Sequence, residues 1–253
     1  MKMPRPMVAY FLAALVFSPA PRLAAKEINH PYQYQACMAL AKKSPNEAFE
    51  TAISWRDLGG GDAAEHCAAT ALIGLGQYVE AAGRLEALAE KAKQNRSVKA
   101  GLLAHAAQAR LLAGQPFRAE AVLTAALKLT PNDSALLVDR AQARAERKNY
   151  RGAIQDLDRA IESETRRPDA YVFRAAAHRY LDNLELALAD VEKALALRPT
   201  HAEALLERGI LKRLRDDDDG ARRDWLGVLR VAPKSPAADA ARSYLEQMDV
   251  KPG

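Results

Sequence analysis

The sequence predicts an all-α chain built as a solenoid of about six helical hairpins and closed by a C-terminal capping helix. Three observations carry this expectation. Four consecutive blocks of 34 residues fit residues 100–235 without a gap: 100–133, 134–167, 168–201 and 202–235. A fixed period of this size marks a stacked repeat. The blocks place small residues at fixed points: Ala107, Ala141, Ala175 and Gly209 at position eight, and Ala119, Ala153, Ala187 and Ala221 at position twenty. Position twenty-seven carries Ala126, Ala160, Ala194 and Val228, and position thirty-two Pro131, Thr165, Pro199 and Pro233. Finally, 49% of the 253 residues are hydrophobic but only 6% aromatic, a composition suited to thin, closely packed helices.

Within a block the apolar spacing is helical. Tyr171, Ala175 and His178 line one stripe, and Ala187, Val191, Ala194 and Leu195 the next. Asp182-Asn183 interrupts the run and Pro199 ends the second helix. The small residue at position eight faces the alanine at position twenty, so the two backbones approach closely. One hairpin cannot bury both of its faces, so stacking on neighbours is obligatory.

Period, small positions and terminal proline resemble the tetratricopeptide repeat (TPR) family, best in residues 168–201 and 202–235. The resemblance implies a right-handed superhelix whose first helices form a concave wall that binds peptides or helices of partner proteins. The sequence departs from the family at position thirty-two, where Thr165 replaces the proline, and at three further positions. The position-four Trp is Leu103, Leu137, Tyr171 and Leu205. The position-seven Leu is Ala106, Arg140, Arg174 and Arg208. The position-eleven Tyr is Arg110, Arg144, His178 and Lys212. The Lys/Asn clamp of the chaperone-binding members is absent.

Residues 1–25 read as a secretory signal peptide. Lys2 and Arg5 precede an apolar run from Met7 to Phe17, Ser18-Pro19-Ala20-Pro21 breaks it, and Leu23-Ala24-Ala25 supplies small residues for a cut after Ala25. The alternative is an uncleaved anchor. On the first reading the mature protein is periplasmic or secreted, with no stable membrane insertion. The net charge of +5 shrinks when Lys2, Arg5 and Arg22 are removed, to 34 basic against 32 acidic residues. That balance, with no basic–aromatic patch, argues against nucleic acid.

Residues 26–99 repeat less well and read as two degenerate hairpins, 29–61 and 62–95. A helix is expected over 32–43 with Ala36, Ala39 and Leu40 on one stripe, and another from Ser44-Pro45-Asn46 to about Leu58 with Ala48, Ala52 and Trp55 inward. Gly59-Gly60-Gly61 ends it, Asp62 caps the next helix, and Gly76-Gln77-Tyr78 forms a mid-repeat turn. Lys91 to Lys99 is expected to be a helix end and a turn. Cys37 and Cys67 sit in neighbouring first helices. Either they form a disulfide, which an oxidising compartment permits, or they are two buried thiols. Residues 236–253 read as the capping helix and a tail.

No catalytic, cofactor-binding or metal-ligating constellation is found, so no enzyme is expected. His30, His66, His105, His178 and His201 are scattered without ligand spacing. Asp216 to Asp219 reads as a solvated turn. Arg140, Arg174 and Arg208 recur 16 residues before Asp156, Asp190 and Asp224, which suggests structural ion pairs. The competing reading is a row of arginines facing an acidic ligand. The expected function is an interaction scaffold of the cell envelope. A partner segment would lie along Leu103, Ala104, Gln108, Leu111, Val138, Gln142, Val172, Arg179, Leu206 and Arg213. Arg179 and Arg213, both at position twelve, would stand one above the other and grip an acidic group. The alternative is an assembly component acting through its outer surface. The partner, a protein or peptide, and the oligomeric state stay open.

Overall fold

A computed structural model describes residues 30–92 and 95–249. The proposed leader, Lys93, Gln94 and the tail beyond residue 249 lie outside the described residues. Among the described residues six helical hairpins follow one another: α1 (His30–Lys43) with α2 (Pro45–Trp55), α3 (Gly61–Gly74) with α4 (Tyr78–Lys91), α5 (Arg96–Leu112) with α6 (Pro116–Leu129), α7 (Ser134–Glu146) with α8 (Tyr150–Ser163), α9 (Pro168–Tyr180) with α10 (Leu184–Leu197), and α11 (Ala202–Arg213) with α12 (Asp218–Val231). Helix α13 (Pro236–Asp249) closes the stack.

The small positions do what the period demands. Ala107, Ala119, Ala126, Ala153, Ala160, Ala175, Ala187, Ala194 and Ala221 are fully buried. At Gly209 an added Cβ would meet the Trp225 indole at 2.3 Å. In the last hairpin, then, the missing side chain makes room for a ring rather than for a neighbouring alanine alone. Helix α13 answers from the other side: Tyr244 stacks on Trp225 with ring centroids 4.9 Å apart, and Ala237 and Ala241 are buried. One apolar cluster joins α5 to α9 and another joins α9 to α13, whereas the first two hairpins are held by several smaller clusters.

Each hairpin from the second to the sixth turns at a residue of positive φ: Gly76, Gly114, Lys148, Asp182 and Asp216. In two of them the next side chain caps the second helix. Asn149 accepts a hydrogen bond from the Gly152 N–H at 3.1 Å, and Asp217 from the Gly220 N–H at 2.9 Å. The acidic run 216–219 is thus both turn and cap.

The N-terminal expectations need correction. Helix α2 stops at Trp55, and a single π-turn (Arg56–Gly60) replaces its expected last turn, with Gly59 at φ 92° and Leu58 exposed. Gly60 packs against the Trp55 ring, where a Cβ would sit 2.8 Å away. Helix α3 therefore opens at Gly61 behind an N-cap at Gly60, and Asp62 lies inside its first turn without capping it. In α1 the buried face is Cys37 and Ala41; Ala36 and Ala39 are exposed. The polar residues from Arg96 to Lys99 are not a helix end but the first turn of α5, capped by Asn95. Cys37 and Cys67 are joined in the structure, with Cα atoms 6.1 Å apart, inside a cluster with Ala52 and Ala68.

First helices touch the first helices of the next hairpin: α1 against α3, α5 against α7, α7 against α9 and α9 against α11. Second helices of successive hairpins make no comparable contact among the described residues. The first helices therefore form the tighter, inner row. No described helix is long and apolar enough to cross a membrane.

Candidate functional site on the inner wall

The inner row does not present one continuous apolar strip. Leu103, Ala104 and Leu111 pack largely on neighbouring clusters and Gln108 is exposed. Leu206 is half-buried against the C-terminal cluster. Val138 and Val172 show only 3% and 7% of their surface. They form the floor of a cavity of about 350 Å³ between α7, α9 and α11, with Gln142 on its wall. The cavity is where the structure brings together three of the ten groove residues; Phe173, 37% exposed, adds an apolar edge.

Its polar lining is mixed. Arg167 Nη1 donates to Ser134 Oγ at 3.1 Å and Glu164 Oε2 at 3.2 Å, while its Nε has no partner. His201 is buried, its Nε2 2.8 Å from Asp169 Oδ1. Its Nδ1 lies 3.1 Å from Glu203 Oε2 but off the line of a hydrogen bond. Asp139 accepts no hydrogen bond among the described residues. Burial pushes its pKa up to about 6, although Arg167 pulls the other way. A carboxyl in this state is open to a donor from outside the chain. None of Asp139, Arg167, Phe173, Arg198, His201 and Glu203 was among the groove residues expected from sequence.

The arginine grip is corrected. Arg179 does not face outward to a ligand: its Nε lies 2.6 Å from Glu207 Oε1 on α11, and its guanidinium covers the Tyr180 ring. Arg213 pairs with Asp218 at 2.7 Å beside a separate cavity of about 310 Å³ near Trp225 and Tyr244. Arg179 is thus turned to the next hairpin, whereas Arg213 lies in a half-exposed surface pair.

The arginines at position seven are all engaged. Arg140, Arg174 and Arg208 each make two parallel hydrogen bonds to Asp156, Asp190 and Asp224, at 2.6–2.9 Å. Each also reaches back to the preceding hairpin, to Thr124 Oγ1, Asp158 Oδ1 and Glu192 Oε1 at 3.3, 2.7 and 3.2 Å. These hydrogen bonds raise the pKa of all three guanidinium groups. Position eleven joins the same lattice: Arg110 binds Glu86, and Arg144 binds Glu120 and Asp156. Most of the departures from the family pattern at positions seven and eleven are thus polar ties between helices.

Two histidines read as scattered in fact meet. His66 Nε2 on α3 lies 3.0 Å from His105 Nδ1 on α5, and Tyr34 Oη on α1 lies 2.7 Å from His66 Nδ1. The sequence separation of 39 hid this, because α5 begins at Arg96, ahead of the 34-residue frame. Burial lowers both imidazole pKa values; proximity of His105 adds to the fall for His66, which drops to about 4.

This architecture, small residues at the helix crossings and an inner wall of first helices, defines the TPR fold, and the chain has it. No family model matches the sequence. Tetratricopeptide repeat protein 36 of Bos taurus is 36% identical over 83 residues, 31% of this chain and 44% of that protein; the match spans less than half the length of that relative. Among solved structures, the thermophilic TPR protein TTC0263 of Thermus thermophilus aligns with a TM-score of 0.62 at 19% identity, over 75% of this chain and all of that one. MamA from Desulfovibrio magneticus RS-1 aligns at 0.55 with 20% identity, over 73% and 97%. YrrB, a TPR protein with an unusual peptide-binding site, aligns at 0.54 with 20% identity, over 68% and 88%.

Proposed function

We propose that this protein is a non-enzymatic interaction scaffold of the cell envelope that holds a partner segment in the inner-wall cavity between α7, α9 and α11. The observation that carries the proposal is the cavity itself: apolar Val138, Val172 and Phe173 beside an unbonded carboxyl at Asp139 and an Arg167 Nε without a partner. Apolar surface with a few unsatisfied polar groups is what a specific binding site offers. The peptide-binding site of YrrB, on the same fold, supports the reading. Action outside the cytoplasm is supported by the leader pattern of residues 1–25 and by the paired Cys37 and Cys67, since disulfides persist in oxidising compartments.

A second reading, assembly through the outer surface, is favoured by exposed apolar side chains on second helices: Val79, Leu186 and Leu226 are about half exposed. A photo-crosslinking residue placed at Phe173 or at Leu186, in the native host, separates the two. The scaffold reading expects a discrete adduct from position 173 and none from 186. The reverse result gives the outer surface the role.

A further inference from the structure

We propose that His66 and His105 form a binding site for a divalent transition-metal ion, with copper(II) the tightest. The two imidazoles come from successive hairpins and point ring nitrogens at each other across 3.0 Å. Two nitrogens on one ion, each at about 2.0–2.1 Å, stand roughly 2.9–3.4 Å apart for bond angles between square and tetrahedral. The observed separation lies in that range. Their rings are within 14° of parallel with centroids 5.2 Å apart, and in the metal-free protein one proton lies between the facing nitrogens. Metal entry displaces that proton: the ring that carries it gives it to water and gains one at its other nitrogen, and the His105 ring turns to aim its lone pair at the ion.

Two features prepare the site. Tyr34 Oη lies 2.7 Å from His66 Nδ1, which leaves Nε2 as the nitrogen that faces His105. A second partner of this kind fixes a ligating imidazole in tautomer and orientation. His66 borders an open cavity of about 190 Å³ with Asp62 on its rim, which gives an ion access. No group of three or more His, Cys, Asp and Glu side chains encloses a metal among the described residues. The ion is therefore held by two imidazoles, with water in its other positions. Imidazole suits copper, nickel and zinc, and affinity rises to copper(II) along that series.

Tag-free full-length protein is titrated with copper(II), nickel(II) and zinc(II) chloride by calorimetry, alongside His66→Gln, His105→Gln and the double variant. One equivalent should bind to the wild type, most tightly for copper, and each single substitution should weaken it at least tenfold. Tyr34→Phe should keep the stoichiometry with a smaller loss. Copper(II) electron paramagnetic resonance on the wild type should show couplings from two imidazole nitrogens, and this readout does not depend on any variant folding. Equal binding by wild type and double variant, or a spectrum with fewer than two imidazoles, overturns the site.

Discussion

Arg174 and Asp190 face each other across the α9–α10 hairpin through two parallel hydrogen bonds, Nε to Oδ2 at 2.8 Å and Nη2 to Oδ1 at 2.6 Å. Asp190 is 9% exposed at its side chain and Arg174 21%. Removing the arginine strands a buried carboxylate, which costs more than removing both charges. Arg174→Met should lower stability by about 2–4 kcal/mol, and Arg174→Met with Asp190→Leu by less than Arg174→Met alone. A double-mutant cycle in urea checks this; additive losses would mean that the pair is not a unit.

The helix crossings should be less forgiving than the surface. Ala187→Leu forces methylenes into a fully buried contact, and Gly209→Ala drives a Cβ into the Trp225 indole. Each should cost about 1–3 kcal/mol. Tryptophan fluorescence during thermal unfolding reports the second directly.

The hairpin turns separate conformation from capping. Lys148 holds a φ of 60°, which a non-glycine residue adopts at a cost, so Lys148→Gly should stabilise by about 0.5 kcal/mol once the entropy of glycine is deducted. Asp217→Asn keeps the cap to Gly220 and should change stability by under about 0.5 kcal/mol, whereas Asp217→Ala should cost about 1 kcal/mol. Chemical denaturation midpoints rank all three.

Asp139 should make the protein more stable in mild acid. Its folded pKa, about 6, lies above its ordinary value of 3.8. The folded state therefore binds its proton more tightly. That contribution is fully present below the ordinary value and is lost as pH rises through 6. Asp139→Asn removes the charge permanently, so its advantage over wild type, about 1–3 kcal/mol at pH 7.5, should shrink as pH falls below 5. Melting temperatures of both proteins from pH 4 to 8 test the sign.

Export and the disulfide are tested together on protein from the native host. The intact mass should correspond to a chain that begins at Lys26 and lacks two hydrogens. Cys37→Ser with Cys67→Ser should destabilise the first two hairpins by roughly 3–4 kcal/mol in the chain-entropy view. Amide exchange should rise there first. Two alkylatable thiols in native protein would count against the bridge.

What the sequence made legible was whatever recurs in its own frame. The spacing of 16 from Arg140 to Asp156 appears three times, so both its partners and its role could be read. Arg179 to Glu207, 28 residues apart on neighbouring first helices, appears once and depends on how one hairpin is set against the next. His66 and His105 escaped for a similar reason: the early start of α5 shifts the frame between them. Asp62 looked like a cap because its residue type is right, but close packing of Gly60 on Trp55 moved the helix start forward. The cavity followed only in part, since Val138 and Val172 are repeat positions while Arg198 and His201 enter from the loop after α10.

The reach of each position-seven arginine in two directions gives the array a polarity. A 34-residue unit offers an arginine to the unit before it and an acceptor at position twenty-five to the unit after it: Thr124, Asp158 and Glu192. The unit 100–133 has the acceptor but carries Ala106 where the arginine would be. The unit 202–235 has Arg208 but carries an exposed Leu226 where the acceptor would be. Copies of 134–167 or 168–201 could be inserted between these ends, or removed, with every joint chemically intact. The two ends refuse such joints, so the length of this stretch is written in what its terminal units lack.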